Sequence, residues 1–151
     1  MSNANGDAAD ILLVEDDPRD AELTIGALSG CGLPHEVEHV ADGEEALEYI
    51  AAIGLFASRH VKTLPSLILL DLHLNKIGGL QVLRELKAKE KTRSIPIVVL
   101  TASESAIEVI ESYRLGVNSY VIKPADRAQF VKVVAAIGRY WLEINCSPPP
   151  R

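Results

Sequence analysis

The sequence predicts an α/β fold, a doubly wound parallel sheet of five strands, and three observations predict it. Five short apolar runs, rich in β-branched residues, stand out at Ile11–Val14, 36–40, Leu67–Leu70, 97–100 and Ser119–Ile122. Segments with helical spacing lie between them, so strand and helix alternate along the whole chain. The apolar residues in the runs are continuous rather than alternating, which is the pattern of strands covered on both faces.

Each helix has its own signal. Asp17-Pro18 supplies an N-cap and a proline at the first helical position, and Leu23, Ile25 and Leu28 follow. The second helix carries Ala46, Leu47 and Ile50 after the turn Asp42-Gly43. A third runs from Gly79 with Leu80, Leu83 and Leu86 on one face. The fourth holds Ile107, Ile110 and Leu115, with Ile110 expected inward, and stops at Gly116, a C′ glycine. After Pro124 the last presents Phe130, Val134, Ile137 and Trp141 as one stripe. A single layered domain over 9–145 is expected, with a disordered leader or expression remnant at 1–8 and a flexible tail at 146–151. No output domain is expected after Trp141. The connection 51–65 is long and has no firm account beyond an extra helical turn at Leu55 and Phe56.

Bulk properties exclude several classes. A net charge of −6 and the absence of a basic stripe argue against nucleic-acid binding. The longest apolar runs are too short to span a bilayer, and no secretion leader precedes them. Cys31 and Cys146 fit no metal-ligand spacing, so a reduced, cytoplasmic protein is expected.

In a doubly wound sheet the binding crevice lies beyond the carboxyl ends of the strands. Strand one ends at Glu15-Asp16-Asp17, strand three at Asp71, strand four at Thr101 and strand five at Lys123-Pro124. Singly each residue has a bland reading: Asp71 caps a loop, Thr101 caps the next helix, Lys-Pro makes a turn. Together they bring carboxylates, a hydroxyl and an ammonium to one edge. Adjacent carboxylates need a cation, and a hard divalent ion such as Mg²⁺ suits oxygen ligands from Glu15, Asp16 and Asp71. Asp71 is then a candidate nucleophile for a phosphoryl group, with Lys123 and Thr101 meeting its oxygens.

Four motifs in order resemble the receiver domains of bacterial response regulators, CheY-like and flavodoxin-like in fold. They are Ile11-Leu12-Leu13-Val14-Glu15-Asp16-Asp17-Pro18, Leu67-Ile68-Leu69-Leu70-Asp71-Leu72-His73-Leu74, Val98-Val99-Leu100-Thr101-Ala102-Ser103 and Ser119-Tyr120-Val121-Ile122-Lys123-Pro124. The resemblance covers roughly Asp10 to Leu142. It implies Asp71 as phosphoacceptor and Glu15 with Asp16 as the acidic pair. It implies Mg²⁺ on Asp16, Asp71 and the His73 backbone carbonyl, Thr101 and Lys123 as phosphate sensors, and Tyr120 as the aromatic switch. Ala102 is small, as access by a donor histidine requires. The chain departs from the family at Asn75, where proline is common, at His73, commonly Asn or a small polar residue, and at Ala125, commonly large. The long connection, Leu72-His73-Leu74 and Arg139-Tyr140-Trp141 most resemble the small regulators paired with phytochromes. That implies a soluble sensor histidine kinase or a phosphotransfer protein as partner, and a homodimer.

The signal is expected on the face of helix four, strand five and helix five. Val109 and Tyr113, then Val117, Tyr120 and Ile122, then Val133, Ala136 and Tyr140 form a candidate exposed apolar patch there. Rival readings fit less well. A Mg²⁺-dependent aspartyl-phosphate phosphohydrolase resembles Asp-x-Asp, and here the second acid is replaced by His73. A flavodoxin needs a phosphate-binding loop where this chain is acidic. A pseudo-receiver would lack some of the five competent site residues. A phosphorelay shuttle, passing the phosphoryl group on to a histidine, remains open beside target docking.

Overall fold

A computed structural model describes residues 8–32, 35–60 and 63–148. The strands are β1 (Ile11–Val14), β2 (Val37–Val40), β3 (Leu67–Leu70), β4 (Ile97–Thr101) and β5 (Ser119–Ile122). The helices are α1 (Pro18–Ser29), α2 (Gly43–Ala51), α3 (Gly79–Ala88), α4 (Ala106–Leu115) and α5 (Arg127–Arg139). All five strands pair parallel in the order β2-β1-β3-β4-β5. The order reverses between β1 and β3, which opens the crevice at their carboxyl ends.

Alternate residues of each central strand feed two cores. Leu12, Val14, Ile68, Leu70, Ile97 and Val99 pack under α2 and α3, while Ile11, Leu13, Leu67, Leu69, Val98 and Leu100 pack under α1 and α5. The doubly covered sheet read from the sequence is therefore present, and β1, β3 and β4 are buried along their length. Strand β4 runs one residue further than expected, so Thr101 is a strand residue with no exposed surface. It does not cap α4; the Ser105 side chain does.

Helix α4 corrects the expected inward face. Ile107 is 80% and Ile110 57% exposed. The inner stripe instead passes through Val109, Ser112 and Leu115, with Ser112 fully buried and donating to the Glu108 carbonyl at 2.7 Å. A small hydroxyl that satisfies itself within the helix lets α4 sit close to the sheet, and the larger apolar side chains face outward. Gly116 ends α4 at φ 103°, a left-handed turn that glycine adopts without strain.

The connection after α2 is organised by Arg59, only 4% exposed. Its guanidinium donates to the carbonyls of Tyr49 (2.7 Å), Ile50 (2.7 Å), His60 (3.0 Å) and Thr63. It also lies 4.8 Å from the Tyr49 ring centre, and the Tyr49 hydroxyl accepts the Ala9 N–H at 2.8 Å. Arg59 thus satisfies the helix-end carbonyls and fastens the loop to α2, while the Tyr49 and Thr63 hydroxyls hold Ala9 and Ala8. The extra turn expected at Leu55 and Phe56 is present as a 3-10 turn, Gly54–Phe56, with Phe56 edge-on to Tyr49. Beyond α5 a π-turn, Tyr140–Ile144, tucks Trp141 against the second core. Among the described residues no helix is long and apolar enough to cross a membrane.

Candidate functional site

Strand register brings the site together. Val14 pairs with Leu70, so Glu15 and Asp71 emerge side by side from neighbouring strands. The Asp71 N–H donates to the Val14 carbonyl at 3.1 Å, fixing the acid at the crevice floor. Thr101 pairs with Ile122, and the Lys123 N–H donates to the Thr101 carbonyl at 2.7 Å. Four strand ends therefore deliver the acids, the hydroxyl and the lysine that the sequence singles out.

Lys123 is the hub. Its ammonium, 9% exposed, donates to Glu15 Oε1 at 2.6 Å, Asp20 Oδ2 at 2.7 Å and Asp71 Oδ2 at 3.0 Å. Burial works against this charge, but the hydrogen bonds with Asp20 and Glu15 and the Asp71 charge outweigh it and hold Lys123 above its ordinary range. Glu15 is 3% exposed, and its burial pushes the carboxyl up to about 7 against the opposing Lys123 hydrogen bond. Its other oxygen accepts the Asp17 N–H at 3.2 Å.

Glu15, Asp16 and Asp71 each place a carboxylate oxygen within 4.8 Å of the others. With Asp20 they make four acids around one ammonium, which leaves three negative charges uncompensated when all are ionised. Hard oxygen donors with surplus negative charge fit a divalent cation. Asp71 Oδ1 accepts the His73 N–H at 3.2 Å, and Gly79 lies so close to the Asp71 carbonyl that a Cβ there would collide with it. The loop after β3 is thus folded tightly under the acid. Lys76, at φ 60°, helps by pairing with Asp42 (3.7 Å) and Glu44 (3.5 Å) on α2.

Two features lay outside the sequence reading. Asp20 is the third carboxylate on Lys123, in the first turn of α1, and its place just after the acidic strand end was the available signal. The other is a rim network: His73 Nε2 lies 3.1 Å from Glu108 Oε1, and the Ser103 hydroxyl donates to the same oxygen. Tyr120 is half-buried, its hydroxyl donating to the Ser103 carbonyl at 3.0 Å, and burial raises its pKa. The start of α5 is capped by the Asp126 side chain, which accepts the Gln129 N–H at 2.9 Å.

The expected apolar patch needs revision. Val117 is 6% exposed and belongs to the first core, and Val133 packs against the second. Val109 and Tyr120 are half-buried, Ala136 is exposed, and the large exposed apolar residues of this face are Ile107, Ile110, Tyr113, Ile122 and Tyr140.

A parallel β2-β1-β3-β4-β5 sheet with this acid–lysine cluster defines a phosphoryl-signalling α/β domain, and comparison with known proteins agrees. Residues 11–135 match the response regulator receiver domain, and the chain belongs to that family as a two-component response regulator. Response regulator Rcp1 of Synechocystis is 37% identical over 98% of this chain and 99% of its own. Its Mn²⁺-bound crystal structure superposes with a TM-score of 0.86, covering 92% of this chain and 98% of that one. The phosphorylated cyanobacterial phytochrome response regulator RcpA, 40% identical, also gives a TM-score of 0.86 over 92% of this chain and 97% of that one. A probable methanogenesis regulatory protein, FilR2 of Methanothrix harundinacea, is 39% identical over 93% of this chain and 88% of its own.

Proposed function

We propose that Asp71 accepts a phosphoryl group from the phosphohistidine of a sensor kinase or phosphotransfer protein. The observation that carries this reading is Lys123 joining Asp71 to Glu15 and Asp20 beside a three-carboxylate cluster at the sheet's switch point. In the transfer the donor N–P bond breaks, an O–P bond forms at an Asp71 carboxylate oxygen, and the donor imidazole takes up a proton. Asp16, Asp71 and the His73 carbonyl, with Glu15 beside them, would hold Mg²⁺. Bound there, the ion supplies positive charge that lets anionic acceptor and donor approach.

Phosphorylation exchanges the single charge of Asp71 for about two negative charges. Lys123 would pair with the new oxygens and the Thr101 hydroxyl would donate to one, while Tyr120 would follow the loop between them. The outward face of α4, β5 and α5 would carry the readout as a homodimer contact through Ile107, Ile110, Tyr113, Ile122 and Tyr140. Resemblance to Rcp1 and RcpA supports a kinase of the phytochrome type. Incubation with Mg²⁺ and acetyl phosphate tests the central step by intact mass. One phosphoryl group is gained by the parent chain and none by Asp71→Asn; a gain that persists in the variant overturns the reading.

A further inference from the structure

Glu15 is held at every polar atom, and two of its contacts come from the edge strand β2. Its N–H donates to the Val40 carbonyl at 3.1 Å, Oε1 meets Lys123 at 2.6 Å and Oε2 accepts the Asp17 N–H at 3.2 Å. The remaining contact is made by His39, whose Nε2 lies 2.7 Å from the Glu15 carbonyl oxygen. A carbonyl only accepts, so this ring nitrogen carries a proton and donates. Strand parity explains the reach. His39 pairs with Leu13 and shares one side of the sheet with Val37, which packs against the second core. Two residues further along that side, an apolar residue would continue the core. The half-buried imidazole instead reaches the turn that leaves β1.

We propose that His39 is a positioning residue of the cation site: it fixes the Glu15–Asp16 peptide and so holds Asp16 in the carboxylate cluster. The inference rests on the divalent-cation reading of that cluster given above. The Glu15 carbonyl and the Asp16 N–H belong to one planar peptide, so fixing one end restricts the other. On the far side of Asp16, Asp17 is fixed as the cap of α1, with Oδ1 accepting the Arg19 N–H at 2.8 Å. Asp16 is thus anchored through both neighbours, and its half-buried carboxylate stays within 4.8 Å of oxygens on Glu15 and Asp71. The anchoring matters because the cluster repels itself. Glu15, Asp16, Asp20 and Asp71 outnumber Lys123, and repulsion favours any rotation of the turn that carries Asp16 into water. A cation that meets a preformed cluster needs no rearrangement of the turn, so the backbone contact appears as cation affinity. His39 ligates no cation itself; it acts through the peptide it holds.

Mn²⁺ titration of the full chain, read from the electron paramagnetic resonance of the free ion and repeated with Mg²⁺ as competitor, tests this role. His39→Leu keeps bulk but has no donor, and both ions should bind about tenfold more weakly. His39→Gln carries an amide N–H near the position of Nε2 and should restore most of the parent affinity. His39→Asn carries its amide near Nδ1, short of the carbonyl, and should bind as weakly as His39→Leu. The Mg²⁺ concentration for half-maximal phosphoryl uptake from acetyl phosphate should rise by the same factor in His39→Leu. If His39→Leu does not fold, the contrast between Asn and Gln decides, because both are amides and only one reaches the carbonyl. A parent chain that takes up neither ion removes the cation reading and this role with it. Binding by the parent, with equal binding by His39→Leu or His39→Asn or weak binding by His39→Gln, removes the positioning role alone.

Discussion

Two partly buried lysines stand at opposite ends of the sheet, and their surroundings push them in opposite directions. Lys123 follows β5 and meets three carboxylates, which hold its ammonium charged above the ordinary lysine range. Lys87, on α3, donates to the carbonyls of Arg93 and Ile95 at 3.0 Å and to Asn118 Oδ1 at 2.9 Å, at the entries to β4 and β5. Burial pushes it down to about 8. Neutral oxygens satisfy hydrogen bonds but do not repay the lost hydration of a charge; carboxylates do both. The amino end of the sheet therefore uses a lysine as a clasp. At the carboxyl end a lysine is the counter-charge of a cluster of three carboxylates.

The strongest way to break this comparison is to remove each ammonium. Lys123→Met strands the buried Glu15 and Asp71 carboxylates, and urea unfolding in the presence of a chelator should show a loss on the order of 3 kcal/mol at neutral pH. Mg²⁺ should recover part of that loss, and unchanged stability would mean the lysine is not the site's counter-charge. Lys87→Met leaves three acceptors that water can reach in part, so a loss of about 1–2 kcal/mol is expected in the same assay. Phosphoryl uptake by Lys87→Met should match the parent, since the clasp lies away from the acceptor. Asp20→Asn weakens one of the three contacts at a side chain 35% exposed. It should cost only about 0.5–1 kcal/mol, with uptake from acetyl phosphate read alongside.

The finest distinction is one of sign. Glu15 has its folded pKa raised from 4.5 to about 7, so the native state holds a proton that the unfolded chain releases. Without divalent metal, stability should fall as pH rises through that interval, and Glu15→Gln should lose the slope. Lys87 has its folded pKa lowered from 10.5 to about 8, so the native state gives up a proton first. Stability should rise with pH between those values, relative to Lys87→Met. Urea midpoints across the two windows check both slopes, and slopes of the same sign would refute the contrast.

How far these features could be read in advance depended on their range along the chain. Strands β1, β3 and β5 were legible because continuous apolar runs between turn residues carry a local signal. Glu15, Asp71, Thr101 and Lys123 were legible because each terminates such a run. Asp20 was not legible, because its approach to Lys123 spans 103 positions and depends on how α1 packs beside α5. Helix α4 misled in a different way. Ile107 and Ile110 have the spacing of a core stripe, yet the inward stripe centres on Ser112, whose hydroxyl is satisfied by its own helix. Hydrophobic periodicity alone does not show which stripe a helix buries when its inner face must be small. Arg59 was unreadable for a related reason, since its partners are backbone carbonyls, which carry no sequence identity.

The most direct measurement is to locate the phosphoryl group itself. Chain treated with Mg²⁺ and acetyl phosphate is reduced with borohydride, which converts an aspartyl phosphate to homoserine, and its peptides are mapped by mass. The account predicts homoserine at position 71 in the peptide that contains β3. Conversion at another acid, such as Asp16 or Asp20, with Asp71 intact would contradict it.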